Sequence, residues 1–471
     1  MTTVSELGYL ERDIQQSSLF VNADDCSLLT DLYQLTMAAC YVGEGVEDKQ
    51  ASFELFVRRL PSGFGYLIAM GLAQALDYLE KLQFNQAQIE ALKRTEIFNN
   101  APERFWKLLE NARFTGNVWA LPEGSVVFEN EPLLRVEAPL WQAQLVETYL
   151  LNVINYQTLI ATRAARIRDV AGEKATLLEF GTRRAFSPQG AVWAARAALA
   201  AGFDATSNVF AALQLGTKPS GTMAHALVMA LSALEGSEEQ AFTAFHRYFP
   251  GAALLIDTYN TVAAAERLSE KINSGEIELA GVRLDSGDLV KLSNQVRSYL
   301  PNVPIFASGD LNEWEITRLK TAGAQIDGYG VGTKLVTGSP VNGVYKLVEI
   351  DGIPVMKQSS GKTTYPGRKQ IFRRYSNTSD GMKLENDRLG LVTEEPLIGE
   401  QPMLQIFVKE GMRLKHPEDL NTIKRRTFSQ VSSLPEHIKQ LENISQFQVE
   451  ISQDLEKLVQ TTKKSHAYIK I

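Results

Sequence analysis

The stretch Ser220-Gly221-Thr222-Met223-Ala224-His225 puts one of the chain's five histidines just behind a Gly-Thr turn. Such a turn exposes backbone N–H groups and lets the imidazole reach a bound ligand. A histidine beside an apolar run such as residues 226–231 is as readily a packed structural ring, so the hexapeptide takes its meaning from the polar clusters that accompany it.

Those clusters are Glu179-Phe180-Gly181-Thr182-Arg183-Arg184, Asp204 with Thr206-Ser207-Asn208, Asp257-Thr258-Tyr259, Arg283-Leu284-Asp285-Ser286-Gly287-Asp288, Ser308-Gly309-Asp310 and Gly330-Val331-Gly332-Thr333-Lys334. Arg183, Arg184, Arg283 and Lys334 supply positive charge. The small-residue turns at 308–310 and 330–333 aim backbone amides at an anion, and a following helix N-terminus adds its dipole, which is what a phosphorylated substrate requires. The carboxylates of Glu179, Asp204, Asp257, Asp285, Asp288 and Asp310 suit sugar hydroxyls or Mg2+. Any one cluster also reads as an ordinary turn. Six of them, each at the end of an apolar run, point to one shared site.

The apolar runs predict strands at 175–180, 203–206, 252–257, 280–284, 303–307 and 326–331. Helices are predicted at 188–201, 209–215 and 260–273, with Asn260 as cap, and after Asp310, where Asn312 and Glu315 form a capping-box pattern and Gly323 is the stop. Alternation of this kind implies right-handed crossovers and a parallel sheet. About six units over residues 151–343 suit a closed or nearly closed (β/α) barrel better than a doubly wound sheet. In such a barrel every C-terminal strand end opens on the face where active sites are built.

The flanking regions read differently. Residues 1–24 are a polar arm, and 25–150 a small sheet-and-helix domain. There a helix capped by Thr30 or Asp31 runs to about Tyr41 and stops at Gly43. A strand at 51–57, a helix at 70–82, short strands between 117 and 136 and a helix over 140–170 follow. Residues 344–471 begin with a hairpin around Asp351-Gly352 and end in a charged, helical tail, expected to pack back on the N-terminal domain.

The formal net charge of −7 over 471 residues argues against a nucleic-acid surface, which needs a basic excess. Composition, 44% hydrophobic and 22% charged, is that of a globular protein. Cys26 and Cys40 are the only cysteines, so a disulfide framework and a Cys-rich zinc site are excluded, and both read as buried thiols in a helical stretch. The N-terminus lacks a basic start with an apolar core, and no apolar run approaches the ~20 residues of a membrane span. The expected setting is reducing and cytoplasmic, with neither nucleic acid nor membrane as partner.

In this order, LLTDLYQLTM (28–37), LEFGTRRAFSPQGA (178–191), SGTMAHA (220–226), GVRLDSGDL (281–289), ASGDLNE (307–313) and GVGTKLVTG (330–338) resemble nicotinate phosphoribosyltransferases. The likeness runs from about residue 25 to 375 and includes Tyr365-Pro366-Gly367-Arg368-Lys369 near its end. It implies an α/β fold: an irregular (β/α) barrel of the type II phosphoribosyltransferase kind plus an α/β sandwich domain. It implies transfer of the phosphoribosyl group of 5-phosphoribosyl 1-diphosphate to nicotinate, giving nicotinate mononucleotide and diphosphate in NAD salvage. ATP hydrolysis would be coupled through a phosphohistidine, placing the enzyme among ligases, and His225 is the matching residue.

By the same resemblance Tyr33, Thr222 and Arg283 would contact nicotinate, Tyr33 from a neighbouring subunit of a homodimer with shared sites. Thr333 and Gly332, with Ser308 and Gly309, would cradle the 5-phosphate. Asp285 and Asp288 would meet ribose hydroxyls or Mg2+, and Arg183 the diphosphate; the resemblance leaves the metal's ligands open. Ala226-Leu227 depart from the serine and aromatic that often follow the family's histidine, which puts the packing around the ring in question. The rival readings are a related enzyme acting on nicotinamide or quinolinate, and a non-catalytic barrel that binds without turnover.

Overall fold

The structure is a computed structural model and describes residue 19 and residues 21–358, 364–379 and 381–468. Most of the expected N-terminal arm therefore lies outside the described residues. The first long helix is Leu32–Glu44, with Asp31 extended at its N-cap. It ends at Gly45, whose φ of 69° supplies the left-handed turn; the expected stop, Gly43, sits inside the helix. Cys40 on this helix is exposed and Cys26 half-buried, so neither is the buried thiol expected.

Strands β1 (Gln50–Phe56), β2 (Leu67–Ile68), β3 (Asn117–Ala120), β4 (Val126–Val127) and β5 (Pro132–Pro139) follow. The single helix expected over 140–170 is two helices, Leu140–Leu145 and Glu147–Ala171. They meet at Val146, whose ψ of −8° departs from the regular helical value and interrupts the helix there.

The middle of the chain alternates as the apolar runs require. Strands β6 (Thr176–Glu179), β7 (Ala205–Thr206), β8 (Leu254–Leu255), β9 (Val282–Leu284), β10 (Ile305–Ser308) and β11 (Gly328–Val331) form one sheet in the order β7-β6-β11-β10-β9-β8. Every pairing in it is parallel. Leu177, Val282, Ile305 and Val331 are fully buried, as strands covered on both faces demand. Read around the sheet, the strands follow chain order with the ladder open between β7 and β8; among the described residues no pairing joins those two edges. Three helices fill that connection: Val209–Gln214, His225–Glu235 and Glu238–Tyr248. Asn312 caps the helix Glu313–Thr321 by accepting from the Glu315 N–H, but the Glu315 carboxylate pairs with Arg318 instead of closing the expected box.

The C-terminal region adds β12 (Val344–Ile350), β13 (Ile353–Pro354), β14 (Lys369–Thr378), β15 (Gly381–Leu391), β16 (Glu400–Pro402), β17 (Gln405–Lys409), β18 (Met412–Arg413) and β19 (Glu450–Ile451). A second sheet, in the order β13-β12-β1-β5-β3-β17-β18, interleaves strands from both ends of the chain. The long hairpin β14/β15 was hidden in a sequence that reads as a charged tail. Part of its charge is inside: Arg373 binds Asp387 at 2.5 and 2.8 Å, and both are buried. The helix Leu420–Ser433 then packs on Pro188–Ala200 and Glu147–Ala171, joining this region to the parallel sheet.

Candidate active site

The C-terminal ends of the parallel strands surround a cavity of about 520 Å³. Phe180, Thr182, Arg183 and Arg184 enter it after β6, Arg283 and Asp285 from β9, Ser308, Gly309 and Asp310 from β10, and Gly330, Gly332 and Thr333 from β11. Gly221 and Thr222 close it from the loop that leads to His225. Arg283 and Thr333, 50 residues apart in sequence, thus face the same space.

Close backbone approach explains the glycines. Gly309 has a φ of +93°, and a Cβ there would lie 2.3 Å from the Asp285 carbonyl oxygen. A Cβ on Gly330 would lie 2.4 Å from the Phe180 ring. The turn after β10 is locked in turn by the Ser308 hydroxyl, which donates to Asp285 Oδ1. Thr333 opens a one-turn helix, Thr333–Val336, directly after β11.

Arg283 is the central cation. Its Nη1 donates to Thr222 Oγ1 at 2.6 Å, and its guanidinium carbon stands 5.9 Å from the centre of the Phe180 ring. Nε is buried without a partner. Burial lowers the Arg283 pKa against the pull of Asp285 and Asp257, with Arg183 adding repulsion. A carboxylate in this place would answer both the unmet donor and the excess positive charge. Behind it Glu179 is fully buried; burial pushes its carboxyl up, opposed by hydrogen bonds from the Thr206 hydroxyl and the Gly181 N–H.

His225 begins its helix beside the cavity, not on its wall. Its Nδ1 lies 3.0 Å from Thr258 Oγ1. Its Nε2 lies 3.9 Å from Asp257 Oδ1 and 4.0 Å from Asp285 Oδ2. The Asp257 side chain is 2% exposed and fixed through Oδ2, which accepts from the Asp285 N–H and the Ser286 hydroxyl, each at 2.8 Å. Its Oδ1 has no donor.

Three expected residues lie elsewhere. Asp288 is outside the cavity lining and exposed, and its carboxylate caps the helix Leu289–Tyr299 by accepting from the Lys291 N–H at 3.1 Å. Asp204 sits at the opposite, N-terminal end of β7, bound to Arg168 at 2.6 Å and Lys424 at 3.1 Å. A residue just before a strand lies at the end away from the rim that its last residue reaches, and residues 203–206 were too short a run to tell the two ends apart. Tyr33, on the helix Leu32–Glu44, lines a separate hollow of about 420 Å³ with Tyr156, Phe186 and Thr337. Its hydroxyl is pushed up to about 12 by burial and by Glu147 and Asp31. Conversely, Phe180 and Thr258 were quoted in the sequence clusters without a role; only the contacts reveal them.

The Nicotinate phosphoribosyltransferase N-terminal domain matches residues 28–155, the family's central part residues 175–304 and its C-terminal domain residues 398–459. Nicotinate phosphoribosyltransferase of Bacillus subtilis is 42% identical over 405 residues, which cover 82% of this chain and 79% of that protein. Nicotinate phosphoribosyltransferase pncB2 of Mycobacterium tuberculosis is 40% identical over 433 residues, covering 88% of this chain and 89% of its own. The crystal structure of human nicotinic acid phosphoribosyltransferase matches 92% of this chain and 99% of that one at a TM-score of 0.80 and 29% identity. With identity at this level across four-fifths of its length, the chain belongs to the nicotinate phosphoribosyltransferase family.

Proposed function

We infer that the chain is a nicotinate phosphoribosyltransferase, forming nicotinate mononucleotide and diphosphate from nicotinate and 5-phosphoribosyl 1-diphosphate in the Preiss-Handler route of NAD salvage. The observation that carries this reading is one cavity in which a half-buried, incompletely bonded Arg283 stands over an aromatic ring beside two glycine turns. Arg283 would pair the nicotinate carboxylate, with Thr222 holding the guanidinium and Phe180 offering a face to the pyridine. The turns at Ser308-Gly309 and Gly332-Thr333 would take the 5-phosphate on backbone amides. Arg183, exposed at the mouth, would receive the departing diphosphate.

Bond breaking at the anomeric carbon leaves an oxocarbenium-like sugar, and Asp285 is the carboxylate best set to stabilise its positive charge. Among the described residues no three His, Cys, Asp or Glu side chains gather into a cage for a metal. A phosphate-borne Mg2+ needs only one or two carboxylates, and Asp285 and Asp310, both on the cavity wall, would supply them. Bound there, Mg2+ would neutralise diphosphate oxygens.

ATP coupling through phospho-His225 is part of the same reading, supported by the ring's position 4.0 Å from Asp285. Neutral imidazole is a competent phosphoryl acceptor near pH 7. A homodimer with shared sites is supported by Tyr33, 47% exposed, and Phe186, 79% exposed, which share a hollow outside the mouth and would be covered by a second subunit. The strand order of the parallel sheet favours an irregular barrel over residues 151–343, flanked by a sandwich domain at 25–150 and a C-terminal region at 344–471 that packs on it. The proposed setting is cytoplasmic; no helix among the described residues is long and apolar enough to cross a membrane.

Product formation measured side by side with nicotinate, nicotinamide and quinolinate tests the reading. Nicotinate should be preferred, because nicotinamide offers Arg283 no charge. Preference for nicotinamide or quinolinate would replace it with the corresponding rival, and no turnover of any of the three would leave a binding protein.

A further inference from the structure

We propose that Glu179 is a positioning residue for the pyridine end of the site: through Gly181 and Thr206 it sets the distance between the Phe180 ring and the loop that carries Thr222. The proposal rests on the nicotinate reading above. Glu179 ends β6 and stands in register with the last residue of each neighbouring strand, Val331 of β11 and Thr206 of β7. Its side chain is 0% exposed and does not line the cavity, so it acts on a ligand only through its neighbours. Burying a carboxylate is unfavourable unless its oxygens are bonded. Here both are: Oε1 accepts from the Gly181 N–H, and Oε2 from the Thr206 hydroxyl at 2.5 Å.

Those two partners lead to the two sides of the pyridine slot. Gly181 directly follows Phe180, whose ring centre stands 5.9 Å from the Arg283 guanidinium carbon, so the carboxylate fixes the turn that aims the ring. Thr206 belongs to β7, an edge strand of two residues with the open seam on its far side. Its carbonyl accepts from the Ser220 N–H at 2.9 Å, at the start of the segment in which Thr222 holds Arg283. Its hydroxyl oxygen accepts from the Asn208 N–H at 2.9 Å while donating to Glu179. Glu179 therefore braces an edge that the ladder secures on one side only. The turns at Ser308-Gly309 and Gly332-Thr333 follow β10 and β11, and the Glu179 carboxylate bonds to neither. Loosening the brace should widen the pyridine slot and leave the phosphate cradle in place.

Steady-state kinetics on the full-length protein, with melting curves confirming that each variant is folded, test this. Thr206→Val keeps the shape and removes the hydroxyl. Its KM for nicotinate should rise about tenfold, with kcat and the KM for 5-phosphoribosyl 1-diphosphate within about twofold of the parent. Thr206→Ser, which keeps the hydroxyl, should restore the nicotinate KM. Glu179→Gln leaves one oxygen for the Gly181 N–H and should raise the nicotinate KM likewise. The double variant should show less than the product of the two single increases, since both changes break one brace. An unchanged nicotinate KM in Thr206→Val, or no recovery in Thr206→Ser, would overturn the proposal. Equal rises in both KM values would also overturn it, by showing that Glu179 supports the fold without setting the slot. A parent protein that prefers nicotinamide, with that KM following the same pattern, would sink the nicotinate reading and leave the positioning role standing; no turnover of any pyridine would remove both.

Discussion

Arg283 Nη1 donates to Thr222 Oγ1 at 2.6 Å, a bond that ties strand β9 to the loop crossing the open seam between β7 and β8. His225 lies three residues beyond Thr222 on that loop. One hydrogen bond therefore links the cation assigned to the nicotinate carboxylate with the segment that presents the histidine. Removing the cation should be felt first in substrate binding. Arg283→Ala is expected to raise the nicotinate KM, with a loss of roughly 2 to 5 kcal/mol for one partner of a partly desolvated charged pair. Arg283→Lys should recover only part, since an ammonium cannot reproduce the planar fork. Steady-state kinetics decide it, and an unchanged nicotinate KM would take Arg283 out of the site.

Gly309 makes a sharper test of the phosphate turn. A Cβ there would come within 2.3 Å of the Asp285 carbonyl oxygen, and the φ of +93° is strained for any L side chain. Backbone cannot yield as a flexible side chain would. Gly309→Ala should thus push the turn from β10 off Asp285, lowering the melting temperature and raising the KM for 5-phosphoribosyl 1-diphosphate more than that for nicotinate. Equal changes in both constants would argue that the turn supports the fold without holding the phosphate.

The proposed ATP-coupling role of His225 would be separable from the transfer chemistry. His225→Ala removes the ring whose nitrogens sit between Thr258 and the two carboxylates. It should abolish acid-labile labelling by γ-labelled ATP and bring the ratio of rates with and without ATP to one. Equal stimulation of the parent and variant proteins would contradict the assignment.

These residues differ in how legible they were before the structure. Arg283, Asp285, Ser308, Gly309, Gly332 and Thr333 were found because each ends a short apolar run, and in a parallel sheet that position alone fixes the face a residue meets. Asp204 failed the same logic, since its run is so short that a residue just before the strand was grouped with the polar residues that follow it. Asp288 failed because a carboxylate after a strand can equally cap the next helix, and the two uses look alike in one dimension. The helix His225–Glu235 escaped notice because its residues form an apolar run with little amphipathic period. The hairpin β14/β15 was missed because Arg373 and Asp387 neutralise each other inside it, which a rule that reads charge as surface cannot see.

That same buried cluster gives a prediction for stability against pH. Glu131, in the turn before β5, is fully buried 4.0 Å from Arg373 and shares that cation with Asp387, which holds it much more closely. One oxygen of Glu131 accepts from the Phe128 N–H at 2.8 Å, and the other has no donor. Burial first, and the Asp387 charge next, raise the Glu131 pKa well above 4.5, against the pull of Arg373. The folded protein then holds a proton that the unfolded chain releases above that value. The stabilising contribution is therefore complete below pH 4.5 and is lost as pH climbs through the raised folded pKa. Each unit of pH in that window costs about 1.4 kcal/mol. Glu131→Gln keeps a neutral side chain of the same size and has no proton to lose. Urea midpoints measured between pH 5 and 8 should therefore fall less steeply for the variant than for the parent, and two parallel curves would show that Glu131 is ionised in the folded protein.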